Sequence, residues 1–125
     1  MSTGDEKVYD LEERLIRFAA RILVYVDRIP NTMAGRYYGG QLLRSGGSPA
    51  LHYGEAQAAE SVDDFIHKCK IALKELKESN ANLRIQLLSG LMPREDADLQ
   101  WLVQECDELI RIVAKIIANA KKKGQ

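Results

Sequence analysis

Apolar residues recur along this chain at alternating steps of three and four, the spacing that stacks side chains on one face of an α-helix. Leu11, Leu15, Phe18, Ile22, Val26 and Ile29 form the first stripe and predict a helix over about residues 8–29, stopped by Pro30. Asn31 is a good N-cap for a second helix through Met33, Tyr37, Gln41 and Leu42, predicted over about 31–59. The run Ser45-Gly46-Gly47-Ser48-Pro49 interrupts it. Glycine lowers helix propensity, and Pro49 removes a donor and biases Ser48 out of the helical region. Ser48 can instead cap a new segment with Pro49 at its first position, so the second helix is expected to be kinked or broken.

Ser61-Val62-Asp63-Asp64 is a capping-box variant that opens a third helix over about 62–89, with Val62, Phe65, Cys69, Leu73, Leu76, Leu83 and Leu87 as its stripe. Gly90 ends it. Pro93 then starts a fourth, over about 94–121, carrying Leu99, Leu102, Cys106, Leu109, Val113 and Ile116. Four apolar stripes need one another, and the connections are short. The pattern predicts an all-α protein: an up-down-up-down antiparallel four-helix bundle in a single domain over residues 1–125.

Charge supports these boundaries. Asp5, Glu6, Asp10, Glu12 and Glu13 crowd the start of the first helix while Arg17, Arg21 and Arg28 lie toward its end, which complements the helix dipole. The fourth helix repeats the arrangement, from Glu95, Asp96 and Asp98 to Lys121, Lys122 and Lys123. At 125 residues, 46% apolar and 29% charged, with three prolines, the composition excludes disorder and collagen-like repeats. Eighteen basic and eighteen acidic residues cancel, so no global field draws the protein to nucleic acid or an anionic membrane; such binding needs a local patch. No apolar run approaches the ~20 residues that span a bilayer, and the polar, acidic start from Met1 to Glu6 is unlike a signal peptide. A cytoplasmic protein that does not enter membranes is expected. Cys69 and Cys106 sit inside apolar stripes and read as buried, reduced thiols.

Candidate chemistry is sparse. Arg44, Ser45 and Ser48, with Gln41 one turn earlier, could present a guanidinium and two hydroxyls to a phosphate or carboxylate. The commoner use of these residue types is an ion pair from Arg44 to Glu55 or another bundle carboxylate, with the serines as caps. Tyr37, Tyr38 and Tyr53 cluster around the interruption. Amphipathic rings favour interfaces, so Tyr37, Tyr38, Gln41, Arg44, Ser45, Tyr53 and Glu55 are the candidate oligomer-interface residues; filling the core is the other use of a tyrosine. Trp101 can equally be interface or bundle edge. Lys70, Lys74 and Lys77 form a ridge at steps of four and three. With Arg84 and the Lys121-Lys122-Lys123 tail they are the candidate contacts to a phosphate backbone, against the plainer reading of a solvated face. Basic residues also group at Arg14, Arg17, Arg21 and Arg28. Asp64-x-x-His67, with Glu55 and Glu75, has the spacing of one half of a bundle metal site, but such sites need two of these motifs plus two more inward glutamates. No catalytic residue, metal site or cofactor is implied.

Several segments taken together carry a resemblance. Asp10-Leu11-Glu12-Glu13-Arg14, Gln41-Leu42-Leu43-Arg44-Ser45, Tyr53-Gly54-Glu55-Ala56, Asp64-Phe65-Ile66-His67-Lys68 and Glu105-Cys106-Asp107-Glu108-Leu109-Ile110-Arg111 occur in order over nearly the whole chain. In this the chain resembles the bacterial four-helix-bundle family encoded in intervening sequences of 23S ribosomal RNA genes. The resemblance implies a homopentameric ring with no enzymatic activity. A related accessory protein of diversity-generating retroelements implies RNA or a reverse-transcriptase-like protein as partner. His52, Asn82 and the Gly46-Gly47-Pro49 cluster depart from the family's pattern. The expectation is a non-enzymatic oligomeric scaffold that binds RNA or a nucleic-acid-handling protein; a metal- or ligand-binding bundle, or a purely self-associating one, are the alternatives.

Overall fold

A computed structural model describes residues 3–124, with side chains from residue 11 onward. Its elements are α1 (Thr3–Val26), α2 (Met33–Gly47), α3 (Pro49–Gln57), α4 (Val62–Ser89) and α5 (Ala97–Lys123), and there is no strand among the described residues. The expected acidic start at Asp5, Glu6 and Asp10 concerns side chains outside the described residues. Among the described residues no helix is long and apolar enough to cross a membrane.

Caps explain most of the boundaries. Ser61 Oγ accepts from the Asp64 amide at 3.0 Å, as the capping pattern requires, and Gly90 ends α4 in the left-handed region at φ 73°. Two starts differ from expectation. Thr32, not Asn31, caps α2 through its Oγ1 and the Gly35 amide, while Asn31 lies one residue too early. Asp96, not Pro93, opens α5 by accepting from the Leu99 amide; Pro93 belongs to the preceding turn, whose carbonyl accepts from the Asp96 amide.

The predicted interruption is a slight bend. Ser48 has helical dihedrals, its amide donates to the Arg44 carbonyl, and its own carbonyl accepts from the His52 amide. α2 ends at Gly47 and α3 begins at Pro49, with these two bonds carrying the chain across a bend where proline has no amide to donate. Ser48 makes no side-chain cap, and its Oγ is buried without a partner among the described residues. α2 and α3 act as one bent helix, giving a four-helix bundle.

Each long helix buries one face. Leu11, Leu15, Phe18 and Ile22 of α1 meet Leu99, Leu102, Cys106, Leu109 and Val113 of α5 and Cys69, Leu76 and Leu83 of α4 in one core. A fully buried side chain of this kind contributes about 1.5–3 kcal/mol. Tyr25, absent from the expected stripe, is buried in place of Val26 and Ile29, which are half-buried. Val62, expected at the core, is exposed. The inner face of α4 is also less apolar than its leucines suggest, because Ser79, Asn82 and Gln86 are buried there.

These polar groups form a chain of bonds. Tyr25 Oη donates to Gln86 Oε1 at 2.8 Å, Gln86 Nε2 to Asn82 Oδ1 at 2.8 Å, and Asn82 Nδ2 to the Tyr38 carbonyl at 3.0 Å. One turn away Ser79 Oγ donates to Ser45 Oγ at 2.8 Å. Satisfied buried pairs of this kind fix which residues face each other across α1, α2 and α4.

Both cysteines are buried and unpaired. Burial pushes the Cys69 thiol up to about 11 and Cys106 up to about 12, and Cys106 Sγ donates to the Leu76 carbonyl. Reactive thiolate is therefore scarce near neutrality. A thiol reagent added to native protein at pH 8 is expected to modify neither residue within minutes and both after denaturation; rapid native labelling would contradict the burial of these helices.

Candidate functional site: the cleft between α2 and α4

The cleft is built by two helical registers. On α2, Tyr37, Tyr38, Gln41, Arg44 and Ser45 lie at steps that turn them toward α4, and on α4 Glu78, Ala81, Asn82 and Ile85 do the same, enclosing about 230 Å³. Tyr37 is 61% exposed and meets Tyr38 edge-on, with ring centres 5.2 Å apart and planes at 84°. Ile85 is exposed beside them, and a second depression lined by Ala34, Tyr38, Ile85 and Leu91 continues the apolar floor. Ser45 is buried at the base.

Arg44 closes the cleft on one side. Its Nη1 donates to Glu75 and its Nη2 to Glu78, each at 2.6 Å, with a longer bond to Gln41 Oε1 at 3.3 Å. The hydrogen bond to Glu78 is the largest of the effects that raise the Arg44 pKa. The guanidinium is thus spent on two carboxylates of its own chain, neither of them Glu55. An exposed pair of this type is worth about 0–1 kcal/mol, so its main effect is to orient the side chain.

Of the seven interface candidates, five lie together here. Tyr53 does not: it is 6% exposed, in the core, where burial raises its pKa. Glu55 faces solvent one helix segment away and pairs with Lys68 at 3.2 Å. Sequence reasoning missed Ile85, Ala81 and Asn82; the spacing of Glu78, Ala81 or Asn82, and Ile85 on one side of α4 was the signal available.

Beside the cleft, Lys70, Lys74 and Lys77 line a depression with Leu73, Glu78 and Ala81, and none of the three is in an ion pair among the described residues. Arg84 continues the helix two turns past Lys77. Lys121, Lys122 and Lys123 are exposed at the far end of α5, and Lys123 borders Ser61, Val62 and Phe65, so the tail approaches the start of α4, not Arg84. The arginines of α1 are otherwise engaged. Arg14 grips Glu105 through two nitrogens, Arg21 pairs with Asp98 and lies over Trp101, and Arg28 pairs with Asp96 and Asp98. Arg17 pairs with Glu13 one turn away. Trp101 is accordingly a bundle-edge residue beneath Arg21.

The metal alternative does not assemble. Glu75 is held by Arg44 and Glu55 by Lys68, and among the described residues no three His, Cys, Asp or Glu side chains stand close enough to hold an ion.

Among solved structures, the chain is similar to the crystal structure of a protein with unknown function from the S23 ribosomal protein family of Bacteroides thetaiotaomicron. The TM-score is 0.78 at 29% identity, over 86% of this chain and 97% of that one. No protein-family model matches the chain, and no curated protein does.

Proposed function

We propose that this chain is a non-enzymatic cytoplasmic scaffold of the intervening-sequence type: an up-down-up-down bundle that associates with its own copies, as a homopentamer, and offers the lysine ridge of α4 to RNA. The observation that carries the reading is the cleft between α2 and α4, where exposed Tyr37, edge-on to half-buried Tyr38, and Ile85 border lysines that make no ion pair among the described residues. Exposed aromatic and aliphatic side chains over a satisfied polar base are the composition of an interface core. The antiparallel order draws support from the cross-helix pairs: partners on α5 fall from Glu105 through Asp98 to Asp96 as α1 rises from Arg14 through Arg21 to Arg28. The S23 ribosomal name of the similar structure supports an RNA context.

Light scattering at micromolar concentration is expected to give a multiple of 14.1 kDa. A monomer overturns the self-association. A structured RNA titrated at low salt is expected to bind with an affinity that falls as salt rises, and changing Lys70, Lys74 and Lys77 together to alanine should flatten that dependence by about 2–3 units of log–log slope. Binding that ignores salt, or no binding, removes RNA from the reading.

A further inference from the structure

The outward row of α4 changes chemistry halfway along. Lys70, Lys74, Lys77, Ala81, Ile85 and Leu88 follow at steps of four, three, four, four and three, which keeps them on one side of the helix. The first half of this row is basic and the second apolar, with Ile85 and Leu88 both exposed. The change falls at Ala81, which lines the lysine depression and the tyrosine cleft alike, so the two run into each other there. Tyr37 borders the apolar half from the α2 wall of the cleft. It is the one exposed aromatic side chain among the described residues, and Tyr38 braces it edge-on.

The charges follow the same division. Lys70, Lys74, Lys77 and Arg84 make no ion pair among the described residues. Of the acids around them, Glu75 and Glu78 each accept from Arg44 at 2.6 Å, and Asp107 accepts from Asn80 at 2.9 Å. Asp63 lies two turns before Lys70, and α2, the other wall of the cleft, contains no acidic residue. A plain polyanion would use only the ridge, and a plain apolar ligand only the cleft.

We infer that ridge and cleft together take single-stranded RNA, with phosphates along Lys70, Lys74 and Lys77 and one unpaired base laid on the Tyr37 ring beside Ile85. The inference rests on the RNA part of the function proposed above and names the form of RNA. A single strand joins a charged backbone to bases with open apolar faces, the two chemistries that the row offers side by side. From Lys70 to Ile85 the row spans about 22 Å at the rise of an α-helix, the scale of the shortest single-strand sites, about four nucleotides. The cleft, at about 230 Å³, has room for a base and none for a duplex, whose bases are already stacked on one another. A ring that carries a base is not covered by a second copy, so the strand competes with association through the cleft.

Fluorescence anisotropy at low salt tests this with two probes, an unstructured oligouridine of about ten nucleotides and a GC-rich RNA duplex of the same length. Charge alone favours the duplex, which is the more densely charged. Wild type is nevertheless expected to bind the single strand about tenfold more tightly, and Tyr37→Ala to lose about tenfold for the single strand and nothing for the duplex. Tyr37→Trp, with a larger ring, is expected to keep the single-strand affinity; circular dichroism and melting confirm that both variants fold. Lost association between copies would weaken both probes alike, which tells it apart from lost stacking. If wild type prefers the duplex, or Tyr37→Ala leaves the single strand unchanged or weakens both probes alike, the stacking is overturned while the RNA reading stands. A Tyr37→Trp protein as weak as Tyr37→Ala overturns it too. Wild type that binds neither probe removes both readings.

Discussion

Replacing Gln86 by alanine is expected to destabilise the bundle by about 4 kcal/mol, the sum of a cavity and two orphaned polar groups. Gln86 is fully buried. Its Oε1 accepts from Tyr25 Oη and its Nε2 donates to Asn82 Oδ1, so truncation leaves a buried hydroxyl without an acceptor and a buried amide oxygen without a donor. An unsatisfied buried group costs about 1–3 kcal/mol, whereas removing both partners of one bond can be nearly neutral. The control is therefore Tyr25→Phe combined with Gln86→Leu, which removes the hydroxyl along with its acceptor and keeps the volume close. Denaturant unfolding of the single and double variants closes a cycle. A double variant that loses clearly less than the sum of its singles supports the network; strict additivity would show that the bond contributes nothing specific.

The second large effect lies at the entry to α2. Gly35→Ala is expected to cost about 3 kcal/mol and to lower the melting temperature by about 10 °C, because overpacking against something that cannot move falls at the upper end of its range. A Cβ on Gly35 would overlap the Pro30 carbonyl oxygen, and would stand 3.0 Å from the Pro30 carbonyl carbon and 3.2 Å from Ile29 Cγ2. The same turn carries the Thr32 cap, whose acceptor is bound to the Gly35 amide, so backbone movement there also weakens the cap. Gly46→Ala is the comparison. Its new Cβ would press on side-chain atoms of Ile22, which can shift, and the expected loss is about 1–2 kcal/mol. The order is the test: a Gly46→Ala protein that melts below Gly35→Ala would contradict the close approach of α2 to the Pro30 turn.

The two effects show where sequence reading reaches and where it stops. The caps at Ser61 and Gly90 were legible because a cap is decided within four residues, by an oxygen near a free amide or by the one residue that tolerates positive φ. Gln86 was not legible, because nothing local distinguishes a glutamine that will face a buried tyrosine 61 positions away from one that will face water. The same holds for Arg44. Its sequence neighbourhood offers Glu55 or another bundle carboxylate, and the choice of Glu75 and Glu78 depends on how α2 sits against α4. Among the three tyrosines, a rotation about one helix axis decides that Tyr53 enters the core and Tyr37 meets solvent. The run around Pro49 predicts a kinked or broken helix, and a full break would unlink those rotations; the structure has the bend. Packing of both segments on α1 and α4 keeps them in register.

By itself the sequence determined the number of helices, their ends to within a few residues, and the apolar faces of α1 and α5, because a period of 3.6 and a cap are properties of short segments. Only the tertiary structure decided which polar residues are buried together, which arginines are spent on the molecule's own carboxylates, and which glycines make room for a neighbour inside the chain. Those are questions of distance between residues far apart in sequence, and backbone periodicity carries no information about them. Gly46 and Gly47 are adjacent and chemically identical, yet the first touches Ile22 and the second faces open space.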